Sequence, residues 1–208
     1  MSFNKQELRQ RAETRVFSEF RKATGATVTA EELIVKNNQT LLFESQRSTE
    51  FEFDIFLSHS SEDAETVLGI LEKLEGYGYR VYIDWINDSS LDKRYVNQKN
   101  IDILRARMRQ SKCLLFATTE SYYKSVWMPW ELGFMDGEKG LAAILPLFDK
   151  PETASDNYKG QEYLGSYPYC VEAQGQTTTK NFLWICETHD TYIRFDKWLN
   201  GDKPYSRK

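Results

Sequence analysis

The stretch Phe53-Asp54-Ile55-Phe56-Leu57-Ser58-His59-Ser60-Ser61-Glu62-Asp63 decides the fold. Phe53, Ile55 and Leu57 alternate inside an apolar run, the pattern of a buried strand. The run stops at Ser58, and the polar residues that follow include Ser60, Ser61 and Asp63, each able to cap a helix. Val67, Leu68, Leu71 and Leu74 then recur at helical spacing to about Glu75, and Gly76 and Gly78 close that helix.

The alternation continues downstream. Arg80 to Ile83 reads as a second strand and Asp84 to Val96 as a polar loop. Ile101, Leu104 and Met108 mark one face of a helix over about 97–110. Cys113 to Thr118 is a continuous apolar run suited to the middle of a parallel sheet. A third helix starts near Pro129, and Ala142 to Phe148 is a fourth strand. Strand–helix alternation over 51–148 predicts an α/β fold: a doubly wound parallel sheet with helices on both faces and right-handed crossovers. Ligands of such sheets bind beyond the carboxyl ends of the strands. A site is therefore expected among the loops 58–63, 84–96 and 119–130.

Residues 3–24 read as an amphipathic helix carrying Leu8, Ala12, Val16, Phe17 and Phe20, with Gly25 as its stop. Two readings are open for it: packing on its own domain, or an arm for a partner or a second copy. The expected organisation is a helical N-terminal extension and connector over 1–50 and one domain over 51–208. Within that domain, 149–181 reads as a long loop or irregular insertion. Phe182 to Cys186 reads as a fifth strand, and Thr191 to Leu199 as a final helix with Asp190 as N-cap and Gly201 as stop.

The totals bound the function. The chain has 208 residues and a net charge of -4, which gives no general electrostatic reason to bind nucleic acid or an anionic membrane. No apolar run reaches the ~18 to 20 residues that cross a bilayer, and the charged N-terminus lacks the apolar core of a secretory signal. Cys113, Cys170 and Cys186 fit neither a disulfide framework nor a zinc pattern. His59 and His189 are too few for a histidine-based metal site. A cytoplasmic protein without metal, membrane or nucleic-acid partners is expected.

The stretch Ser125-Val126-Trp127-Met128-Pro129-Trp130-Glu131-Leu132-Gly133 holds the candidate chemistry. Pro129 suits the first helical position, which places Glu131 in the first turn, where the helix dipole and free N–H groups favour a carboxylate. Trp127 and Trp130 flank it with flat apolar surfaces. An ionised acid beside aromatic walls suits a substrate whose transition state is a cation. The competing reading is that acids in first turns and tryptophans in cores are common for structural reasons alone. Ser60, His59 and Asp63 lie too close together in one loop to form a hydrolytic triad. No Gly-rich phosphate cradle is present, so a dehydrogenase using NAD as a redox cofactor is not expected.

The run from Asp54 to Asp63 resembles the first strand and following loop of a Toll/interleukin-1 receptor (TIR) domain. Arg80-Val81-Tyr82-Ile83-Asp84 is similar to the family's second strand entering its BB loop, and Ser111 to Thr118 to its next core strand. Trp127 to Glu131 matches the Trp-x-x-x-Glu motif of TIR domains that cleave NAD. The likeness covers about 51–148 and points to prokaryotic TIR proteins of the antiviral-defence type. It implies a flavodoxin-like sheet and an NAD+ nucleosidase giving nicotinamide plus ADP-ribose or a cyclic ADP-ribose isomer, with NAD+ as substrate and no cofactor. It implies Glu131 as the catalytic glutamate and Trp127 as a surface for an aromatic ring of the substrate. Ser58, His59 and Ser60 are the candidates to bond ribose or phosphate from the first loop, and Asp84 and Trp85 to close the pocket from the second. Self-association through TIR domains and an effector that reads a nucleotide signal are the implied partners. One departure is plain: 84–96 holds neither the glycine nor the proline of many receptor and adaptor BB loops, so the family's detailed ligand contacts from that loop are not carried over, and Asp84 and Trp85 stand as candidates by position alone. The rival readings are a non-catalytic TIR scaffold and an enzyme like the nucleoside deoxyribosyltransferases.

Overall fold

The computed structural model describes residues 3–34, 53–83, 98–118, 122–148, 162–175 and 178–207. The chain opens with a short strand, β1 (Phe3–Asn4), and enters helix α1 (Lys5–Arg11), which runs through a π-helical stretch at Ala12–Phe17 into α2 (Ser18–Thr24). Then come β2 (Phe53–Ser58), α3 (Ala64–Gly76), β3 (Val81–Ile83), α4 (Gln98–Arg109), β4 (Ser111–Thr118), α5 (Trp127–Lys139) and β5 (Ala142–Phe148). The last elements are β6 (Tyr169–Gln174), β7 (Asn181–Cys186), β8 (Thr191–Arg194), α6 (Phe195–Leu199) and β9 (Tyr205–Ser206).

These strands form one sheet in the order β3-β2-β4-β5-β6-β7-β8-β9, with β1 also paired to β5. The run from β3 to β6 is parallel, and β6 to β9 continue antiparallel. The parallel part has the flavodoxin-like order and reverses its direction of winding at β2. Each central strand is buried on both faces. Ile55, Leu57, Cys113, Leu115, Ala143 and Leu145 point into one core cluster, which α3 and α6 cover. Phe56, Leu114, Phe116 and Ile144 point into the other, covered by α4 and α5. This is the doubly wound α/β architecture expected from the alternating pattern. Among the described residues no helix is long and apolar enough to cross a membrane.

The N-terminal helix packs on its own domain. Asn4 caps it, its side chain accepting from the N–H of Glu7 at 2.9 Å, and Gly25 ends it in the left-handed conformation (φ 71°). Leu8 and Ala12 are buried in the first cluster. Arg9 Nε donates to Thr66 Oγ1 at 3.0 Å, Arg11 pairs with Glu72, and Lys73 joins Glu172 at 2.7 Å and Glu7 at 3.7 Å. The closest approach is at Gly69: a Cβ there would lie 2.1 Å from the carbonyl oxygen of Leu8. Only glycine lets α1 lie directly on α3.

Two expectations are corrected. Residues 191–194 are a strand, not the start of the final helix: Ile193 pairs with Ile185 and Arg194 with Trp184, and helix begins only at Phe195. The sheet's edge claims these residues before a helical turn can form. The stretch 149–181, expected as loop, contains β6, which pairs parallel with β5 at Ile144–Tyr169 and antiparallel with β7. Its outer half carries Glu172 and Gln174 and is only partly buried, so it lacks the apolar run of a central strand.

Gly69→Ala should destabilise the fold by about 1–3 kcal/mol, because backbone rather than a flexible side chain blocks the new methyl. An unchanged melting temperature would show that α1 does not sit there. The three cysteines are free and buried. Burial holds the thiols of Cys113 and Cys170 well above the usual range and pushes Cys186 up to about 11. The reactive thiolate is thus withheld at neutral pH. A thiol reagent at pH 8 should modify none of the three in native protein and all three after unfolding; rapid native labelling would contradict this burial.

Candidate active site

The reversal of winding at β2 places the carboxyl ends of β2 and β4 on either side of a crevice. Ser58 is the last residue of β2 and stands in register with Phe116 of β4. Helix α5 covers this end of the sheet, and its inward face is Trp127, Met128, Glu131, Leu132 and Met135. The spacing i, i+1, i+4, i+5, i+8 is the buried stripe of an amphipathic helix. Glu131 is the one acid on that stripe and is 0% exposed.

Helix α5 begins earlier than the sequence led us to expect. Its first residue is Trp127, so Pro129 occupies the third position and Glu131 lies beyond the first turn. Ser125 explains the earlier start: its Oγ accepts from the N–H groups of Trp127 at 3.3 Å and Met128 at 3.2 Å. Proline is tolerated here because the first N–H groups of a helix have no intrahelical acceptor to lose. A favourable dipole at the first turn therefore does not account for Glu131.

Burial of a carboxylate costs several kcal/mol unless hydrogen bonds compensate it. Ser58 supplies one: its Oγ donates to Glu131 Oε2 at 2.6 Å, within the buried interior. That length lies at the short end of the range for O–H···O hydrogen bonds. The bond ties the end of β2 to the middle of α5, so two candidates far apart in sequence meet in one contact.

The other candidates are arranged around this pair. Trp127 lies one turn before Glu131 on the same helix face, is 8% exposed, and meets Trp130 edge-on with ring centroids 5.8 Å apart. Its ring belongs to the second core cluster. His59 is buried and turns back on its own strand, with Nδ1 3.1 Å from the Leu57 carbonyl, so that nitrogen carries the hydrogen. Ser60 is buried and its Oγ accepts from the N–H of Glu62 at 3.5 Å, capping the turn at Ser61–Asp63. Asp84 and Trp85 lie outside the described residues.

Two features escaped the reading of the sequence. Ser125 was visible as a cap residue just before the helix, but Pro129 offered a competing start. Lys124 Nζ meets Glu62 at 2.8 Å and joins the segment after β4 to the loop after β2. Glu62 holds the Lys124 ammonium above its usual value, chiefly through that hydrogen bond. Both groups are exposed, so the tie orients the loops more than it stabilises them. No local sequence signal links residues so far apart.

Comparison with known proteins identifies the family. The profile of the TIR domain family matches residues 55–171. A Bacillus cereus (strain MSX-D12) protein named as a probable 3′ cyclic ADP-D-ribose synthase, ThsB′, is 46% identical over 147 residues, 71% of this chain and 75% of its own. A Cytobacillus dafuensis protein whose name assigns it provisionally as a cyclic ADP-D-ribose synthase, TIR2, is 31% identical over 83 residues, 39% of this chain and 22% of its own. The matched profile spans β2 to β6 and encloses Ser58, Trp127 and Glu131, and on this extent of likeness the chain belongs to the TIR domain family.

Proposed function

We propose that this protein is an NAD+ nucleosidase of the TIR type that breaks the nicotinamide–ribose bond. The observation that carries the reading is Glu131, a buried acid on an otherwise apolar helix face at the carboxyl ends of the strands. The names of the two relatives support it and favour a cyclic ADP-ribose isomer over ADP-ribose as the product.

The chemistry asks little of the protein. In NAD+ the nicotinamide is already a cationic leaving group, so it departs as a neutral molecule without a general acid. The ribose left behind carries oxocarbenium character, and a carboxylate fixed beside it stabilises that charge as carboxylates do in glycosidases. Glu131 takes that role. Trp127 offers a flat face for an aromatic ring of the substrate. Ser60 and His59 stand at the crevice edge, within the loop that follows β2. Water adding to C1′ and losing a proton gives ADP-ribose. A hydroxyl elsewhere in the same molecule adding to C1′ and losing its proton gives the cyclic isomer, and exclusion of water selects this second path. NAD+ enters as substrate rather than as a redox cofactor. The product serves as a nucleotide signal read by an effector in antiphage defence, and the protein acts in the cytoplasm in self-associated form; these belong to the same proposal.

Concentrated protein incubated with NAD+ should release nicotinamide together with ADP-ribose or a cyclic isomer, separable by chromatography. Glu131→Gln should lower that rate by about 10²-fold or more. Wild-type protein that releases no nicotinamide at any concentration would sink the enzyme reading and leave the scaffold reading in its place. The same variant should melt within about 1 kcal/mol of wild type or above it, since it exchanges a buried acid for a neutral isostere that still accepts from Ser58. A large loss of stability would mark Glu131 as a structural residue.

A further inference from the structure

Ser58 was expected among the residues that bond substrate, and the geometry gives it a different task. Its side chain has one proton to donate, and that proton goes to Glu131 Oε2 at 2.6 Å. Ser58 is itself 0% exposed. Its backbone is fixed as the last member of β2, in register with Phe116 of β4. It is therefore a rigid donor. Glu131, by contrast, carries its carboxylate on three rotatable bonds. The helix fixes its Cα but not the direction of its oxygens, and its helical neighbours Trp127, Met128, Leu132 and Met135 are buried hydrophobic side chains.

We infer that Ser58 is a positioning residue: it holds one oxygen of the Glu131 carboxylate so that the other is presented to the ribose. This rests on the reading of Glu131 as the group that stabilises the ribosyl cation. A stabilising charge works only if it is held in place before the bond breaks, and a displacement of about 1 Å can cost two orders of magnitude in rate. Loss of the donor therefore acts on turnover and leaves binding of intact NAD+ nearly unchanged.

The test uses Ser58→Ala and Ser58→Thr in the full chain, with thermal melting recorded for each. The first readout needs no substrate: the side-chain carboxyl resonance of Glu131 in 13C-glutamate-labelled protein, assigned by its loss in Glu131→Gln. It should move in Ser58→Ala and return towards wild type in Ser58→Thr, which keeps the hydroxyl. The second is kinetic: Ser58→Ala should lower kcat by about 10- to 100-fold while KM changes by less than about threefold. The third is binding without turnover: Glu131→Gln and the Ser58→Ala/Glu131→Gln double variant should bind NAD+ within about threefold of one another by calorimetry. An unmoved resonance, an unaltered kcat, or a loss confined to KM and affinity would overturn the inference, the last making Ser58 a substrate contact. If wild-type protein releases no nicotinamide, the nucleosidase reading falls, and the carboxyl resonance alone decides whether Ser58 holds Glu131.

Discussion

Strand β2 is hydrogen-bonded on both sides, to β3 through Ile55–Val81 and Leu57–Ile83 and to β4 through Phe53–Ser111 and Ser58–Phe116. A strand in that position has no free edge, and from Ile55 to Leu57 it has no wet face, so those residues must be apolar; only Asp54, at its start, is partly exposed and meets Lys112 and Arg80. Its two faces seed the two cores, with Ile55 and Leu57 in one and Phe56 in the other. Because the chain turns to β3 on one side and returns to β4 on the other, the end of β2 is where the winding reverses. Towards its carboxyl end, polar chemistry begins only where the strand stops, at Ser58. Core, crevice and first site residue thus share one origin.

Helix α5 answers to two demands that oppose each other. Packing requires its inner face to be apolar, and Trp127, Met128, Leu132 and Met135 meet that requirement. Glu131 breaks it. A sequence tuned for stability alone would place another hydrophobe there, since a buried carboxylate returns its desolvation cost only through well-made hydrogen bonds. Local rules broken without a structural gain tend to mark functional positions. The 2.6 Å bond from Ser58 limits the cost, and the same bond fixes the geometry on which the chemistry would depend. Stability and orientation are served by one contact.

Strands β2, β3, β4 and β5 were legible because each is an apolar run closed by polar or glycine-containing sequence. Strand β6 was not, because Val171, Glu172 and Ala173 are only partly buried and Gln174 is exposed, a pattern that a loop also produces. Strand β8 was hidden because Thr191 to Arg194 lead straight into the helix at Phe195; a run of apolar and polar residues across that junction fits a single helix as well as a strand and a turn. For Glu131, the helical stripe around it was present in the sequence, but a start at Pro129 supplied a ready explanation through the dipole. The Ser125 cap moves the start two residues earlier and removes that explanation. The meeting of Ser58 with Glu131 could not be read at all, since the residues are 73 apart and only the sheet brings them together.

The N-terminal segment belongs to the frame of the site through its packing on α3 and its pairing with β5. Helix α3 follows directly from the loop after β2, so its placement sets where that loop can lie. Helix α1 presses on α3 at Gly69, and the buried Thr66, near the start of α3, accepts from Arg9. On the far side, β1 adds to the carboxyl end of β5 through Phe3–Leu147 and Asn4–Phe148, beyond the point where β6 pairs. One short segment therefore braces the loop after β2 from below and the end of β5 from the side. A carboxylate that must be in place before its substrate reacts depends on a frame that does not yield. Residues at the start of the chain help provide it.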